Sequence, residues 1–372
     1  MDPDPKVTNG EMPIDKNTQL INIESNPDKE NNKSIESPIL AKNFSLVSNG
    51  NVVEVSEGLK KVLMDVLNGR EISKKEIIEW MMKEVQYQNF PILDENGMQK
   101  FEFLGKGTYG KVFRATYNGL EVALKELEIE KVFKDILKFL QEINMSIMCY
   151  HPFVPKFHGV YFNDYVCLVF DLVKGKSLKE VAEVRYKDQY KLKYNALIKL
   201  VKIINDLHTK LKIIHRDLKP DNIIVSDDDE VFLIDFGTSK VVSGFATNTY
   251  DAKGTTIYMA PENYKLREPE EGEKDLDDER PITLTVAFDV WSLGCIISEI
   301  CSGIQPWKNH QRKNLNETII MKFLSESKDF PIPVDLPDNL KELLAKCFMQ
   351  ETSERIKTAD LLQKLTEIRD CL

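Results

Sequence analysis

Residues 214–222 read Ile214-His215-Arg216-Asp217-Leu218-Lys219-Pro220-Asp221-Asn222 and bring a carboxylate, an ammonium and a carboxamide into one short loop at fixed offsets. Phosphoryl transfer uses that set: a base orients the attacking hydroxyl, a cation stands near the moving phosphoryl group, and an oxygen ligand holds Mg²⁺. Asp235-Phe236-Gly237 follows and offers a second carboxylate for metal. Upstream, the glycines of Gly105-Lys106-Gly107-Thr108-Tyr109-Gly110 let the backbone turn tightly and approach a polyphosphate with no Cβ in the way. Alone such a loop is weak evidence, because dinucleotide-binding folds share it. There it runs from a strand into a helix, whereas here strand patterns lie on both sides.

These runs belong to an ordered series. Val122-Ala123-Leu124-Lys125 follows the glycine loop, Glu142 precedes the His151-Pro152 turn, Ala260-Pro261-Glu262 follows Asp235, and Asp289-Val290-Trp291-Ser292-Leu293-Gly294 and Arg355 come last. The series resembles the signature of the protein kinase superfamily, from roughly Lys100 to the C-terminus. The resemblance implies a two-lobed α+β kinase fold with a small antiparallel-sheet lobe, a larger helical lobe, and ATP and Mg²⁺ bound between them. Asp217 is then the base that orients the substrate hydroxyl, Lys219 stabilises the transferring group, and Lys125, paired with Glu142, contacts the α- and β-phosphates. Asn222 and Asp235 are the implied Mg²⁺ ligands. The nucleotide is implied to meet Leu104, Gly105, Lys106, Gly107, Thr108, Tyr109, Gly110 and Val112. Val112 and Ala123 lie above adenine and Ile224 below, with Phe170 as gatekeeper before the connection Asp171, Leu172, Val173. His215 reads as a packed structural residue rather than a proton shuttle.

Lys219 close behind Asp217, and Thr255 within Gly254-Thr255-Thr256-Ile257-Tyr258-Met259, follow the serine/threonine pattern, in which the threonine bonds the aspartate and the lysine. The resemblance therefore implies transfer to Ser/Thr hydroxyls of protein substrates. The alternatives are tyrosine or dual specificity, and a non-catalytic pseudokinase scaffold; that class has usually lost the counterparts of Lys125, Asp217, Asn222 or Asp235, which this chain keeps. Gly119-Leu120-Glu121-Val122-Ala123 with Phe157-His158-Gly159-Val160 looks most like the tyrosine-kinase-like branch.

The elements that must position these residues are legible from periodicity. Residues 101–104, 111–117 and 121–126 are rich in β-branched and aromatic types, with Asn118-Gly119 as a hairpin turn between the last two. One helix is expected over 132–149, strands over 154–160 and 165–170, then helices over 190–210, 289–301, 338–347 and 358–371. Ahead of this catalytic domain, placed at 99–371, residues 55–95 read as a short helical extension. Leu59, Val62, Leu63, Val66 and Leu67 recur at helical spacing before Asn68-Gly69, and Ser73 with Glu76 forms a reciprocal cap for a second helix carrying Ile77, Trp80, Met81 and Val85. Two such helices cannot form a core alone, so they are expected to pack on each other or on the small lobe. Residues 1–54 are polar and aperiodic and are expected to be a disordered tail.

Composition narrows the remaining choices. A formal charge of −10 over 372 residues argues against general nucleic-acid or anionic-membrane affinity. Six cysteines without a Cys-x-x-Cys pair read as thiols of a reducing compartment. Met1-Asp2-Pro3-Asp4-Pro5 has no secretory pattern, Asp2 replaces the glycine that myristoylation needs, and no apolar run reaches the length of a membrane span. A soluble cytoplasmic protein is expected; oligomeric state leaves no mark in the sequence.

By the same resemblance, Arg216 marks a basic pocket for a phosphate on the activation loop, at Thr247, Thr249 or Tyr250, added by an upstream kinase or by autophosphorylation. Asp251 stands where several relatives carry a phosphothreonine and supplies a standing negative charge. Two features depart from the pattern. Ser146 replaces an apolar residue four positions after Glu142, and the interval before Asp289 holds an acidic run from Glu268 to Glu279 that reads as a solvated insertion.

Overall fold

The computed structural model describes residues 45–48, 51–67, 70, 72–106, 110–242, 247–249, 254–263, 282–308, 320, 324, 330 and 332–372. The expected tail therefore lies outside the described residues over 1–44, but its end does not. Ser45–Ser48 (β1) and Asn51–Glu54 (β2) pair antiparallel with Ser48 opposite Asn51, which corrects the expectation of disorder up to residue 54. The physical signal was present: Leu46-Val47 and Val52-Val53 flank Asn49-Gly50, the dipeptide best suited to a two-residue hairpin link.

Glu57–Leu67 (α1) and Lys74–Tyr87 (α2) follow. Ser73 caps α2 through the reciprocal bond with Glu76. The carboxylate of Glu84 on α2 accepts from the backbone N–H of Ser56 at 3.0 and 3.2 Å, so α2 satisfies a group at the start of α1. The helices touch closely: a Cβ on Gly58 would stand 2.8 Å from the Trp80 ring. Beyond α2, Pro91 and Leu93 exchange backbone bonds of 2.8 Å with Val160, tying the extension to the small lobe.

The small lobe is an antiparallel sheet of Met98–Lys106 (β3), Lys111–Tyr117 (β4), Leu120–Leu127 (β5), Phe157–Phe162 (β6) and Val166–Asp171 (β7), in the order β3-β4-β5-β7-β6. Asn118 and Gly119 both take positive φ, 50° and 82°, as a tight hairpin turn requires. Register decides what faces the cleft. Gly105 lies opposite Val112, Val112 opposite Lys125, and Ala123 opposite Phe170; since residues two apart share a face, all five stand on one side of the sheet. The other side buries Ala115, Val122, Leu124, Cys167 and Val169 under Leu93 and Met98. The strand expected at 154–160 begins later, at Phe157, because Pro155 has no N–H to give a ladder.

A second correction concerns the helix expected over 132–149. It is two helices, Ile129–Lys134 (α3) and Ile136–Met148 (α4), parted at Asp135 with φ −132° and ψ 52°. The apolar positions Ile129, Val132, Phe133, Ile136, Phe139, Leu140 and Ile143 run on without a break, so periodicity hides the joint. Aspartate is a poor helix former, and it occupies the joint. On the outside, α2 lies against α3 and β1 against α4.

The large lobe starts with Gly175–Ser177 (β8) and Leu178–Glu183 (α5), whose Ser177–Glu180 capping box was not foreseen. Tyr190–Asp206 (α6) runs into a wide π-type turn, Leu207–Leu211. Ile213–Ile214 (β9), Ile223–Ser226 (β10) and Val231–Leu233 (β11) frame the loop that holds Asp217. Ala287–Ser302 (α6's neighbour α7) is buried on every side from Ala287 to Cys301, as the central helix of a lobe must be. Asp338–Cys347 (α8) and Thr358–Asp370 (α9) close the core, where Trp291 meets Phe348 at 5.1 Å between ring centroids. Cys149, Cys167, Cys295, Cys301 and Cys347 are buried free thiols, and Cys371 is exposed. No described helix is long and apolar enough to cross a membrane. Tyr250, Asp251 and the acidic run 268–279 lie outside the described residues.

Candidate active site

Three elements from distant parts of the chain meet at Lys125. β5 carries its ammonium into the cleft, α4 brings the Glu142 carboxylate to 2.7 Å, and Asp235 stands at 3.2 Å. Burial opposes a charge on Lys125, but the carboxylates of Asp235 and Glu142 outweigh it and raise its pKa. Burial likewise pushes the Asp235 carboxyl up, and the Lys125 ammonium more than reverses it, so the group lies below the ordinary aspartate value. Asp235 has φ 65°, in the left-handed region, a local strain that packed surroundings must hold. A Cβ on Gly237 would come within 3.3 Å of both Asp235 Oδ1 and the Glu142 carboxylate, so any other residue there would make these groups shift by a few tenths of an ångström.

The loop bearing Asp217 hangs from Asp289 on α7. That fully buried carboxylate accepts from the backbone N–H groups of His215 and Arg216 at 2.8 and 2.9 Å, and from His208 Nε2 at 2.8 Å. Burial raises the Asp289 pKa, but the His208 bond, the nearby His215 and the Arg216 amide bring it below the ordinary value. Arg216 takes φ 72° under this restraint. His215 is buried edge-on against Phe236 at 4.9 Å, and burial lowers its pKa; it is packed.

Within the loop, Asp217 Oδ2 accepts from Lys219 Nζ at 2.8 Å and from Asn222 Nδ2 at 3.1 Å. Oδ1 accepts from Thr255 Oγ1 at 2.7 Å, and Lys219 Nζ donates to the same threonine oxygen at 2.9 Å. Asn222 also donates to the Asp217 carbonyl at 2.8 Å, and its own carbonyl accepts from the Ile234 amide at 3.0 Å beside Asp235. Asn222 Oδ1 and Asp235 Oδ2 accept no hydrogen bond among the described residues. Two hard oxygens left open suit Mg²⁺, which takes few protein ligands and fills its shell with water and phosphate. No cluster of three or more His, Cys, Asp or Glu able to hold a metal occurs among the described residues.

The nucleotide-lining expectations divide. Gly105 has open space around it, whereas a Cβ on Gly110 would collide with the Glu126 carbonyl, so glycine there is demanded by the protein's own backbone. Gly107, Thr108 and Tyr109 lie outside the described residues. Leu104 and Lys106 are exposed; Val112, Ala123, Phe170, Asp171, Val173 and Ile224 are half-buried, as cleft walls are. Phe170 packs on Phe157 at 5.3 Å between centroids. The Asp171 N–H is already bonded to the Lys156 carbonyl at 2.9 Å, which leaves only its carbonyl for a ligand. His208 and Gln141, which brace the site, were not foreseen. His208 lies 81 positions from its partner Asp289, and no local pattern connects them.

Arg355 joins the C-terminal region to the site's rim, gripping Glu262 with two bonds of 2.8 and 3.0 Å. A family profile described as protein kinase domain matches residues 98–365. The chain is 28% identical over 264 residues to cell division control protein 7 of Schizosaccharomyces pombe, covering 70% of this chain and 23% of that protein. It is 30% identical to the protein kinase wis1 of the same organism, covering 69% and 41%, and 29% identical to mitogen-activated protein kinase kinase kinase 3 of Arabidopsis thaliana, covering 71% and 41%. The chain thus spans less than half the length of these relatives.

Proposed function

This chain belongs to the protein kinase domain family, and on that premise we propose that it transfers the γ-phosphoryl group of ATP to serine and threonine hydroxyls of protein substrates. The observation that carries the reading is the convergence of Lys125, Asp217, Asn222 and Asp235 on one cleft, with Lys219 and Thr255 joined to Asp217. A carboxylate has about four acceptor sites, so Asp217, held on both oxygens, still has a place for the substrate hydroxyl. The hydroxyl oxygen forms a bond to the γ-phosphorus while the bond to the β-phosphate oxygen breaks, and the hydroxyl proton passes to Asp217. Lys219, fixed between Asp217 and Thr255, sets a positive charge beside the transferring group, and Lys125 holds the α- and β-phosphates. Asn222 and Asp235 would hold Mg²⁺, which would supply positive charge to offset that of the phosphates. Positioning and electrostatics supply the rate, and turnover of roughly 1–100 s⁻¹ is ordinary for such a site.

The Lys219–Thr255 arrangement favours Ser/Thr over tyrosine hydroxyls. Retention of all four residues in mutual reach favours an enzyme over a scaffold. We further read the protein as an intracellular signalling kinase whose activation segment takes a phosphate near Arg216, and residues 55–95 as a bracing extension of the small lobe. Radiolabelled phosphate transfer to a peptide library, comparing the parent chain with Asp217→Asn, tests the central claim. A drop of about 10³-fold is expected in the variant, with label on serine and threonine. A parent no faster than the variant would leave the scaffold reading in its place.

A further inference from the structure

We infer that Gln141 is a positioning residue that locks the Lys125–Glu142 pair to the loop bearing Asp217, an inference that rests on the phosphotransfer reading above. Gln141 immediately precedes Glu142 on α4. Its side-chain Nε2 donates to the Ser239 carbonyl at 3.3 Å, across 98 positions of sequence. Ser239 Oγ donates in turn to the His215 carbonyl at 3.2 Å, and Thr238 Oγ1 donates to the same carbonyl at 3.1 Å. His215 adjoins Arg216 and Asp217. A continuous relay therefore leads from α4, through the stretch after Asp235-Phe236-Gly237, to the catalytic loop.

The geometry gives this contact a specific task. Successive residues on an α-helix point about 100° apart, so Glu142 and Gln141 grip their surroundings on two different faces. The apolar side of α4, with Ile136, Phe139, Leu140, Ile143 and Met145, is buried, and the two polar grips set the roll within what that packing permits. The fixing matters at the start of α4, since its other end is packed in the large-lobe core through Met145. It starts at Asp135 without a side-chain cap, and α3 does not continue into it. Ser146 spends its hydroxyl on the Glu142 carbonyl at 2.8 Å instead of burying an apolar chain, a back-bond that tends to bend helices. The Glu142 carboxylate meets Lys125 at 2.7 Å through a single bond, so a roll of α4 carries it off Lys125. Ser239 is 1% exposed, so water cannot replace the relay's bonds when one is removed.

The test is a donor series in the full chain: Gln141→Leu and Gln141→Glu, which cannot donate, against Gln141→Arg, which can. Steady-state kcat and the ATP KM are measured, with amide hydrogen exchange over residues 136–148 and thermal melting. Loss of one net hydrogen bond predicts about a fivefold fall in kcat/KM for the Leu and Glu variants, with a matching rise in exchange. The Arg variant is expected to keep parent values, and all three to melt near the parent. Ser239→Ala, which breaks the relay beyond the carbonyl, is expected to lower kcat and to be less than additive with Gln141→Leu. Parent kinetics and exchange in the Leu and Glu variants would overturn the inference. So would equal losses in Leu, Glu and Arg, which assign the effect to packing. Exchange is also read on the Asp217→Asn background, where transfer is expected to fall about 10³-fold, so an inactive parent would sink the functional reading while leaving the helix result standing.

Discussion

The catalytic loop and helix α4 supply opposite halves of one site, and they are held by different physics. The loop is suspended by backbone N–H groups from the Asp289 carboxylate, inside the large lobe's core, beside a helix buried on all sides. Helix α4 packs Met145 into the large-lobe core, but its polar links to that lobe run through side-chain tips: Glu142 by way of Lys125 and Asp235, and Gln141 on Ser239. Backbone-to-carboxylate bonds in a dry core cannot loosen without unfolding what surrounds them. Tip contacts can be lost one at a time. The part that must never move is built into the core, and the part that can be regulated is fastened by its tips.

The contrast can be broken most directly at Asp289. Replacing it with alanine strands two backbone N–H groups and His208, and is expected to cost about 3–5 kcal/mol of stability together with activity, read by urea denaturation. A variant that folds like the parent and loses only turnover would erase the distinction. On the other side, Glu142→Gln removes the charge on α4 while Lys125 keeps Asp235 at 3.2 Å. Here kcat/KM is expected to fall about 10²-fold while stability drops by only about 1 kcal/mol. Calorimetry beside kinetics separates those effects, and a large fall in melting temperature would show α4 to be as structural as the loop. The smallest effect is on pH. Asp289 titrates below its ordinary 3.8 in the folded protein, so its share of stability is present above that value and fades as pH falls through the folded pKa. Acid titration from about pH 5 to about pH 3 should therefore destabilise the parent more steeply than Asp289→Asn, and parallel curves would contradict the assignment.

Much of this was readable from the chain because the chemistry is local. Asp217, Lys219 and Asn222 share one loop, and Val112, Ala123 and Lys125 share one hairpin, so spacing alone brings them near each other. What sequence hides is of two kinds. The joint at Asp135 is masked because apolar periodicity continues across it, and periodicity reports which side is buried rather than whether the axis is continuous. His208 on Asp289 and Gln141 on Ser239 are single bonds between remote positions, each side chain ordinary for its element. The hairpin at 45–54 is a different failure. Its Asn-Gly signal was legible but was outweighed by the polar composition of the segment around it.

The distribution of sulfur has a practical consequence. Five of the six thiols are shut inside the protein, and burial pushes Cys149, Cys301 and Cys347 up to about 12, where almost no thiolate exists at neutral pH. Cys371 alone is exposed, just past α9. A maleimide dye should therefore settle on that single position of the unaltered chain, giving a fluorescent handle on the large lobe without engineering a residue for the purpose.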